Sequence, residues 1–366
     1  MTDPHFDYVI IGAGMAGASL GAELAPFASV LVLEAEMHPG YHATGRSAAF
    51  WLETYGGPQV QPLTSASGPW FREHGFLGAR GALTIARAGQ ESELQKFADQ
   101  YRKSGIRLVP LGRQELVGML PGLRPVWTQG MLESDCCDID TAALHAHYLA
   151  ILRKAGGEVR LRSQLAGAVR NKDKWHISLS GGHGLTGSVL INAAGAWADD
   201  VAIRSGVAPI GIQPLRRTIA QIRTSPRPPA SLSLVLDVDE QFYFKPESGR
   251  LWLSPHDETP SQPCDAAPEE LDIAKAIDRF GQVTDWTVEA VERSWAGLRS
   301  FATDRVPVYG YDPKEPAFFW FAGQGGFGIQ TAPAAARLAT QIMRGLPADE
   351  MTRGIDLKAF CPSRFR

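Results

Sequence analysis

The glycine pattern that follows the first apolar segment constrains the fold of this chain more than any other sequence feature. Residues 6–11 predict a buried parallel strand, and Gly12, Gly14 and Gly17 then open a helix of small residues that runs to about Ala25. Gly12 permits a tight turn, Gly14 lets the backbone approach a pyrophosphate group, and Gly17 allows the helix to pack closely on the strand. The helix N-terminus offers N–H donors to a phosphate. This unit therefore predicts a dinucleotide site.

The segment after this helix strengthens the prediction. Residues 29–33 predict a second apolar strand, which ends on Glu34. A carboxylate at this place can accept hydrogen bonds from an adenosine ribose, and its charge disfavours the 2′-phosphate of NADP. The spacing of the two strands, the helix and the acid is that of a Rossmann-like unit. It does not by itself distinguish FAD from NAD.

Composition excludes several other classes of protein. The 366 residues exceed the usual size of one core, so we expect two structural units. A composition of 44% hydrophobic and 20% charged residues with a net charge of −3 is typical of a soluble enzyme and provides no basic field for nucleic acid. The cysteines match neither a metal-ligand spacing nor a disulfide framework, so we expect no metal. Without a transmembrane segment or leader, the predicted location is the cytoplasm, and peripheral contact with the inner membrane stays open.

Three later segments favour FAD over NAD. The loop at residues 42–49 follows the acid and is suited to facing phosphate and flavin. Residues 189–197 predict a strand that enters a small-residue turn, which can pass close to a bound cofactor. Residues 318–331 combine an aromatic strand with a glycine-rich turn that opens a helix. The N-terminus of that helix can face the pyrimidine end of a flavin, where charge accumulates on reduction.

The order of these segments resembles a known family. The stretches that carry the resemblance lie between residues 8 and 331 and read YVIIGAGMAGASLG, PGYHATGRSAAF, DIDTAALHAHYL, LINAAGAWADD, QPLRRT, FYFKPESG, WAGLRSF and GQGGFGIQT. Together they are similar to the D-amino-acid oxidase superfamily of FAD-dependent oxidoreductases, and most similar to its bacterial D-arginine dehydrogenase branch. We expect non-covalent FAD, because no cysteine falls in the motifs that match the flavin loops.

The resemblance also implies an interleaved architecture of the α/β class, or α+β overall. A Rossmann-like FAD-binding domain would comprise residues 1–75, 137–212 and 300–366, and an antiparallel-sheet substrate domain would comprise residues 76–136 and 213–299. Local patterns agree with this division. Apolar runs at residues 232–236, 242–244 and 251–253 predict an antiparallel meander, and amphipathic patterns predict flanking helices at residues 91–105 and 268–281.

Each predicted cofactor contact lies in one of the segments described above. They are Gly12, Gly14, Met15, Ala16, Gly17, Glu34, Ala35, Thr44, Gly45, Arg46, Ser47, Ala48, Ala194, Gly195, Trp197, Gly325, Gly326, Phe327, Gly328, Ile329 and Gln330. His42 lies in the same loop as Thr44 and could either accept a substrate proton or bond to the backbone. The sequence therefore assigns no general base.

Oxidation of an amino acid beside a flavin requires a rigidly held carboxylate, which arginine can bind through two parallel hydrogen bonds. Arg299 is the strongest candidate, and the alternative is a buried ion pair with an internal acid. Arg216 and Arg217 would point to opposite faces of a strand, and the resemblance selects Arg217, although it could instead be a solvated surface charge. The resemblance adds Tyr55 and Tyr243 as donors or pocket walls, whereas aromatic residues in strands more often only pack.

The predicted substrate pocket comprises Phe50, Ala82, Gly326 and Gln330. Two of these residues depart from the arginine branch. Phe50 stands where that branch has a histidine, and Ala82 stands where it has an acid that pairs with the guanidinium side chain of the substrate. Burial of a cationic side chain without an acidic partner is costly, so we expect neutral or apolar substrates.

The leading functional hypothesis is FAD-dependent oxidative deamination of a D-amino acid. The carboxylate would bind Arg299, Arg217 and Tyr243, and hydride would pass to flavin N5 from a substrate whose amine is neutral. The imino acid would then hydrolyse to a 2-oxo acid and ammonia. The electron acceptor stays open between a quinone, an electron-transfer protein and dioxygen. Alternatives are an amine oxidase of the glycine, sarcosine or proline type, a 2-hydroxy acid dehydrogenase, an NAD-dependent dehydrogenase and a non-catalytic flavin-binding protein.

Overall fold

The computed structural model describes residues 3–365. The α-helices are α1 (Met15–Leu24), α2 (Gln61–Glu73), α3 (Glu91–Gln100), α4 (Arg113–Met119), α5 (Thr141–Lys154), α6 (Ala198–Arg204), α7 (Glu270–Val283) and α8 (Ala332–Arg344). The strands are β1 (His5–Ile11), β2 (Val30–Leu33), β3 (Phe50–Trp51), β4 (Leu77–Ala79), β5 (Ala82–Arg87), β6 (Leu108–Gly112), β7 (Trp127–Glu133), β8 (Cys137–Ile139), β9 (Glu158–Arg160), β10 (Leu165–Asn171), β11 (Lys174–Leu179), β12 (Gly184–Asn192), β13 (Gln213–Ser225), β14 (Leu234–Asp237), β15 (Tyr243–Glu247), β16 (Arg250–Ser254), β17 (Thr259–Pro260), β18 (Thr287–Phe301), β19 (Val308–Tyr311), β20 (Phe318–Ala322) and β21 (Gln324–Gly325). Short 3₁₀ helices lie at Ala43–Arg46, Gly195–Trp197, Leu357–Phe360 and Pro362–Phe365.

The first sheet, which we call the nucleotide sheet, is built around β1. This strand pairs in parallel with β2 on one side and with β12 on the other, so Ile11 lies opposite both Leu33 and Asn192. The strand order is β10-β11-β12-β1-β2-β9, and β20 joins in parallel to the end of β12 and carries β19. Because β1, β2 and β12 run in the same direction, the turns that follow them meet at one edge of the sheet.

Helices cover both faces of the nucleotide sheet. Successive residues of a strand point to opposite faces, and accordingly Ile10 enters one apolar core and Val9 another. The first core contains buried residues of α1, α5 and α8, and the second contains residues of α6. Both faces are therefore buried, as expected of a parallel sheet.

The second sheet, which we call the substrate sheet, has the order β21-β18-β13-β16-β15-β14-β5-β7-β6, with β17 paired to β13. Its long antiparallel pair, β13 and β18, places Arg217 opposite Gly297 and Leu215 opposite Arg299. Buried residues of α4 and α7 pack on this sheet in a core with Phe244. The remaining strands form a small third sheet, in the order β3-β8-β4.

The chain crosses repeatedly between the two large sheets. Strands of the nucleotide sheet come from residues 5–33, 158–192 and 308–322, and strands of the substrate sheet come from residues 82–133, 213–301 and 324–325. The α/β fold class is confirmed, and so is the antiparallel meander, which is formed by β14, β15 and β16. The exact domain boundaries drawn from the sequence stay a prediction. Within residues 3–365, no helix has the length and apolar character to cross a membrane, and no cluster of His, Cys, Asp or Glu could hold a metal ion.

Candidate active site

A cavity of about 560 Å³ extends from the edge of the nucleotide sheet to the substrate sheet. Its wall contains the turns after β1, β2 and β12, most of the loop at residues 40–50, and residues of β13, β15 and β18. Ligands of open α/β folds bind at the carboxyl ends of the strands, where neighbouring connections diverge. This cavity is therefore the candidate active site.

The turn after β1 has no room for a side chain. Gly12 has a φ of +102°, and a Cβ there would lie 2.6 Å from the carbonyl oxygen of Ala193. A Cβ at Gly17 would lie 1.9 Å from the carbonyl oxygen of Gly12, so Gly17 packs α1 against the turn. Gly14 precedes the first residue of α1 and provides no capping side chain, and the N–H of Met15 donates to the hydroxyl oxygen of Thr44 at 2.9 Å. The following N–H groups of the first turn lack intrahelical acceptors and suit a pyrophosphate.

The acid at the end of β2 is held by the backbone. Glu34 is buried, and its two carboxylate oxygens accept hydrogen bonds from the N–H groups of Ala13 at 2.9 Å and Glu36 at 3.0 Å. A carboxylate oxygen can accept more than one hydrogen bond, so Glu34 can also bind a ribose hydroxyl group. Glu36 pairs with His42 at 2.9 Å, and the His42 ring contacts Trp197 with centroids 4.6 Å apart. His42 thus has a structural partner, and we assign it no part in proton transfer.

A segment between β17 and α7 covers part of the cavity, and we call it the 263–266 strap. Pro263, Cys264 and Ala266 lie on the cavity wall. Arg46 pairs with the carboxylate of Asp265 and donates to the carbonyl oxygen of Ala266 at 2.9 Å. Arg46 therefore ties the strap to the cofactor loop. Cys264 lies outside every motif that predicts the cofactor site, and non-covalent attachment of FAD stays a prediction.

Most of the predicted cofactor residues lie on the cavity wall. Those on it are Gly12, Gly14, Met15, Ala16, Glu34, Ala35, Thr44, Arg46, Ser47, Ala48, Ala194, Gly195, Trp197, Gly325, Gly326, Gly328, Ile329 and Gln330. Gly17, Gly45 and Phe327 lie behind it. The N–H of Gly45 donates to the carbonyl oxygen of Gly40 at 2.9 Å, and the Phe327 ring packs on Phe301. Wall residues that no sequence motif predicted include Ser163, Gln164, Leu165 and Arg204.

Arg216 and Arg217 point to opposite faces of β13. Arg216 donates to Asp272 of α7 at 2.9 Å and also pairs with Glu269. Arg217 is only 5% exposed and lies on the cavity wall, where its Nε donates to the carbonyl oxygen of Asp257 at 2.8 Å. Its terminal nitrogens, Nη1 and Nη2, form no hydrogen bond with any of residues 3–365, although Nη2 lies 3.5 Å from a carboxylate oxygen of Glu258. Such a buried guanidinium group, with two free donors, is suited to bind an anion.

Arg299 lies on the neighbouring strand β18 and shares the cavity wall with Arg217. Its Nη1 donates to the hydroxyl oxygen of Tyr55 at 2.9 Å, and its Nη2 pairs with Glu258. Glu258 also accepts a hydrogen bond from Arg305 at 2.7 Å and lies 3.5 Å from Nη2 of Arg217. Arg299 is thus part of a partly buried ion pair and also faces the cavity, and its role in binding a substrate carboxylate stays a prediction.

The cluster around Arg217 has more positive than negative charge. The guanidinium groups of Arg217, Arg299 and Arg305 face the carboxylates of Asp257 and Glu258. Burial, and then the charge of Arg299, lowers the pKa of Arg217. Burial alone would raise the pKa of Glu258, but Arg305, Arg299 and Arg217 together hold that pKa below its usual value. A bound monocarboxylate would neutralise the one positive charge that the two carboxylates leave unbalanced.

His256 is a titratable group beside this cluster that sequence reasoning missed. It has a φ of +55°, and its ring packs edge-on against Tyr243 with centroids 5.7 Å apart. Burial, together with the charges of Arg217 and Arg299, lowers the pKa of His256 to about 2. The imidazole is therefore neutral and too weak a base to hold a substrate proton. No motif surrounds His256 in the sequence, so sequence analysis had no signal for it.

Aromatic rings form much of the remaining substrate end. Phe50 packs edge-on against Tyr55 and Tyr243, with ring centroids 5.1 Å and 5.9 Å away. All three residues lie on the cavity wall. Ala82 lies behind them, 2% exposed, in an apolar cluster with Phe50 and Tyr243. Ala82, which the sequence predicted in the pocket, therefore does not lie on the cavity wall but packs behind it.

Gln330 connects the glycine-rich turn to the segment that carries Tyr55. Its side-chain amide oxygen accepts a hydrogen bond from the N–H of Leu52 at 3.2 Å, and its amide nitrogen donates to the carbonyl oxygen of Tyr55 at 2.9 Å. The same nitrogen donates to the hydroxyl oxygen of Thr64 at 3.0 Å. Gln330 therefore both lines the cavity and fixes the backbone of the Tyr55 segment.

Gly326 lies against Arg299 and Tyr55, and its substitution tests this geometry. A Cβ at Gly326 would lie 3.0 Å from Nη1 of Arg299 and 3.1 Å from the hydroxyl oxygen of Tyr55. We expect Gly326→Ala to raise KM roughly ten-fold, because the added methyl group pushes these two groups apart. FAD content should be unchanged. The control Gly118→Ala adds a methyl group where no atom lies within 4 Å and should leave KM as in the wild type. Equal KM values for both variants would contradict the proposed geometry.

Comparison with known proteins identifies the family. The family model described as DAO, FAD dependent oxidoreductase, matches residues 7–342. Glycine oxidase from Geobacillus kaustophilus (strain HTA426) is 22% identical over 356 residues, which cover 93% of this chain and 93% of that protein. The crystal structure of glycine oxidase from Geobacillus kaustophilus matches with a TM-score of 0.85 and covers 99% of both chains.

Two further proteins show how far the similarity extends. The crystal structure of L-proline dehydrogenase from P. horikoshii matches with a TM-score of 0.86 at 16% identity, and covers 100% of this chain and 98% of that one. FAD-dependent oxidoreductase domain-containing protein 1 from Xenopus laevis is 24% identical over 194 residues, and the match spans 38% of its length. The glycine turn at Gly12, the N-terminus of α1 and the carboxylate of Glu34 fit the dinucleotide that the family binds. The chain is a member of the FAD-dependent oxidoreductase (DAO) family, and FAD is its cofactor.

Proposed function

We propose that the chain oxidises a small D-amino acid with a neutral or apolar side chain. The observation that supports this proposal most strongly is the buried guanidinium group of Arg217, which shares the wall of the FAD cavity with Arg299. Its terminal nitrogens have no hydrogen-bond partner in the part of the chain that the structure describes. Glycine oxidase and L-proline dehydrogenase, which have the same fold, are named for small amino acids.

The substrate carboxylate would bind between Arg217, Arg299 and Tyr243. The two unpartnered nitrogens of Arg217 can donate two parallel hydrogen bonds to it. Arg299 keeps Tyr55 in place through Nη1 and has an Nε without a partner. Burial raises the pKa of Tyr243, so its phenol stays protonated and can donate. Together these groups would hold the Cα of the substrate in a fixed position.

The reaction removes a hydride from Cα and a proton from the nitrogen, which leaves an imino acid. FAD, when bound, supplies the acceptor for the hydride. Water then converts the imino acid to a 2-oxo acid and ammonia. Within residues 3–365, the charged or phenolic groups on the wall of the substrate end are Arg217, Arg299, Tyr55 and Tyr243, and no carboxylate or imidazole lies among them. The substrate amine would therefore enter already neutral, having lost its proton to solvent.

The wall also supports a preference for uncharged side chains. Its carboxylates belong to the nucleotide end, and they are Glu34, Glu36 and Asp200. The substrate end presents Phe50 and Ile219 beside the two tyrosines. A cationic side chain would enter this pocket without an acidic partner and close to two arginines, at a large cost in free energy.

Anaerobic stopped-flow reduction of the bound flavin tests the proposal. The panel contains glycine, D-alanine, L-alanine, D-proline, D-arginine and D-lactate. We expect D-alanine to bleach the flavin at least about a hundred-fold faster than D-arginine, because an unpaired buried charge costs several kcal/mol. Faster reduction by L-alanine would overturn the stereochemistry, and faster reduction by D-lactate would overturn the amino acid assignment. If no compound bleaches the flavin, the protein is not an amino acid oxidoreductase of this kind.

A further inference from the structure

The segment Leu52–Tyr55 is fixed by side chains from three separate parts of the chain. The side chain of Gln330 bonds to the two ends of the segment, the N–H of Leu52 and the carbonyl oxygen of Tyr55. Tyr101, just after α3, donates its hydroxyl to the carbonyl oxygen of Thr54 at 2.6 Å. Glu133 accepts hydrogen bonds from the N–H of Glu53 at 2.8 Å and from the hydroxyl of Thr54 at 2.7 Å. Because Tyr55 is the last residue of this segment, these contacts decide where its hydroxyl lies.

Glu133 is buried without a cationic partner among residues 3–365. It is the last residue of β7, lies between Ala82 of β5 and Leu108 of β6, and is 3% exposed. The ionisable groups that face it are Glu53, Tyr101 and Cys136, none of them cationic. On this side of the sheet, Lys245 faces Cys136 but pairs with Asp138 at 2.8 Å. At the other end of β7, Arg87 stacks on Trp127 and Arg113 bonds to the carbonyl oxygen of Trp127. An unpaired buried carboxyl group of this kind needs an explanation, because it destabilises the fold when it ionises.

We propose that Glu133 is a positioning residue for the substrate clamp: its carboxylate holds the Leu52–Tyr55 segment so that the Tyr55 hydroxyl stays on Arg299. The proposal rests on the proposed function, because it takes Arg299 and Arg217 as the carboxylate site. Glu133 itself does not lie on the cavity wall. It acts through Tyr55, whose hydroxyl accepts the hydrogen bond from Nη1 of Arg299 at 2.9 Å.

The ionisation state of Glu133 changes how well it holds the segment. Burial, which outweighs the hydrogen bonds from Thr54 and Glu53, raises the pKa of Glu133 to about 7. Both partners are donors, so the ionised form accepts both hydrogen bonds fully, whereas protonation of one oxygen weakens one of them. Substrate carboxylates should therefore bind more tightly as the pH rises through about 7.

Propionate is a suitable probe, because it has a carboxylate but no amine that titrates in this range. We expect its Kd for the FAD-loaded enzyme, measured from the change in flavin absorbance, to fall roughly two- to ten-fold between about pH 5.5 and 8.5, the effect of one hydrogen bond. Glu133→Gln keeps an acceptor for Glu53 and a donor that can reach Thr54, so its Kd should not vary with pH. The control is Asp237→Asn. Asp237 is a second buried carboxyl group of the substrate sheet, with a raised pKa and no contact with this segment, and its loss should leave the pH dependence intact.

Thermal unfolding provides a second measurement of the ionisation. The folded-state pKa of Glu133 lies above its ordinary value of 4.5, so its contribution to stability is complete below about pH 4.5 and is lost as the pH rises to about 7. Glu133→Gln lacks this loss. The difference in Tm between Glu133→Gln and the wild type should therefore grow in favour of the variant between pH 5 and pH 8. A difference that does not change with pH would overturn the proposed ionisation.

A double-mutant cycle separates positioning from a purely structural role. Glu133→Ala should weaken propionate binding in the wild-type background, and this effect should largely disappear in Tyr55→Phe, which has no hydroxyl to position. Additive effects of the two substitutions, or a wild-type Kd that does not vary with pH, would overturn the role of Glu133 and leave the carboxylate clamp standing. If propionate does not bind at any pH, the clamp itself is wrong and the role of Glu133 falls with it.

Discussion

Arg217→Met is expected to lower kcat/KM for every accepted amino acid by about 10²- to 10³-fold, equivalent to roughly 3–4 kcal/mol of transition-state stabilisation. The methionine side chain fills similar space but cannot donate to the substrate carboxylate. FAD content should stay at the wild-type level, because Arg217 lies on the substrate sheet, away from the glycine turn that holds the pyrophosphate. Steady-state kinetics with the best substrate of the panel, together with flavin absorbance, make this measurement.

The same substitution is expected to leave Tm unchanged or to raise it. In the absence of substrate, the guanidinium group of Arg217 is buried, its terminal nitrogens lack hydrogen bonds, and burial lowers its pKa. The cluster around Arg217 has three guanidinium groups and two carboxylates, so an apolar side chain at this position removes a buried charge that is in excess, a change that is often stabilising. A loss of activity without a loss of stability is the signature of a residue retained for binding.

Its neighbour on the strand, Arg216, provides the matched control. Arg216 points to α7, where it pairs with Asp272 and Glu269. Arg216→Met should therefore lower Tm, because it leaves the buried carboxylate of Asp272 without this partner, and should change kcat/KM less than about three-fold. If Arg216→Met impairs catalysis as much as Arg217→Met, the assignment of Arg217 to the cavity and of Arg216 to the opposite face of β13 is wrong for the working enzyme.

The second large effect is expected for Gly12→Ala, which should abolish stoichiometric FAD binding. The added Cβ would lie 2.6 Å from the carbonyl oxygen of Ala193, and the φ of +102° is itself strained for alanine. Both the turn after β1 and the turn after β12 would have to move, and these turns form the centre of the cofactor site. We expect a colourless protein after purification, and a Kd for added FAD at least about a hundred-fold higher than in the wild type.

The control for this substitution is Gly281→Ala in α7. A Cβ at Gly281 meets no atom within 4 Å, and alanine is the better helix former. This variant should bind FAD as the wild type does and should be equally or more stable. Retention of yellow, FAD-loaded protein after Gly12→Ala would show that the turn can relax, and would remove the steric argument for glycine at this position.

The nucleotide end of the cavity could be predicted from sequence because its determinants are local. The turn at Gly12, the helix that starts after Gly14 and the acid at Glu34 lie within one strand–helix–strand unit, where spacing along the chain fixes spacing in the fold. The superfamily predicted from the later motifs is confirmed by the family match. The similarity to the arginine branch and the D configuration of the substrate stay predictions.

The substrate end depends on contacts between distant segments, which leave no periodic signal. Glu258 reaches Arg299 across 41 residues of sequence, and Glu133 reaches Glu53 across 80. His256 has no motif around it, and its very low pKa arises only from burial beside two arginines. The resemblance to the arginine branch predicts Ala82 on the pocket wall, whereas the structure places it behind the wall, in an apolar cluster with Phe50 and Tyr243.

The repeated crossing of the chain between its two sheets also affects how the protein is made. The wall of the FAD cavity contains residues from Ile11 to Gln330, so the complete cofactor site exists only after most of the chain has left the ribosome. We therefore expect FAD not to guide the early folding of the N-terminal segment, although that segment contains the nucleotide motif. Bound FAD stabilises the finished protein, because it binds to the folded state in preference to the unfolded state. Cellular FAD supply should accordingly influence the lifetime of this protein more than its rate of folding.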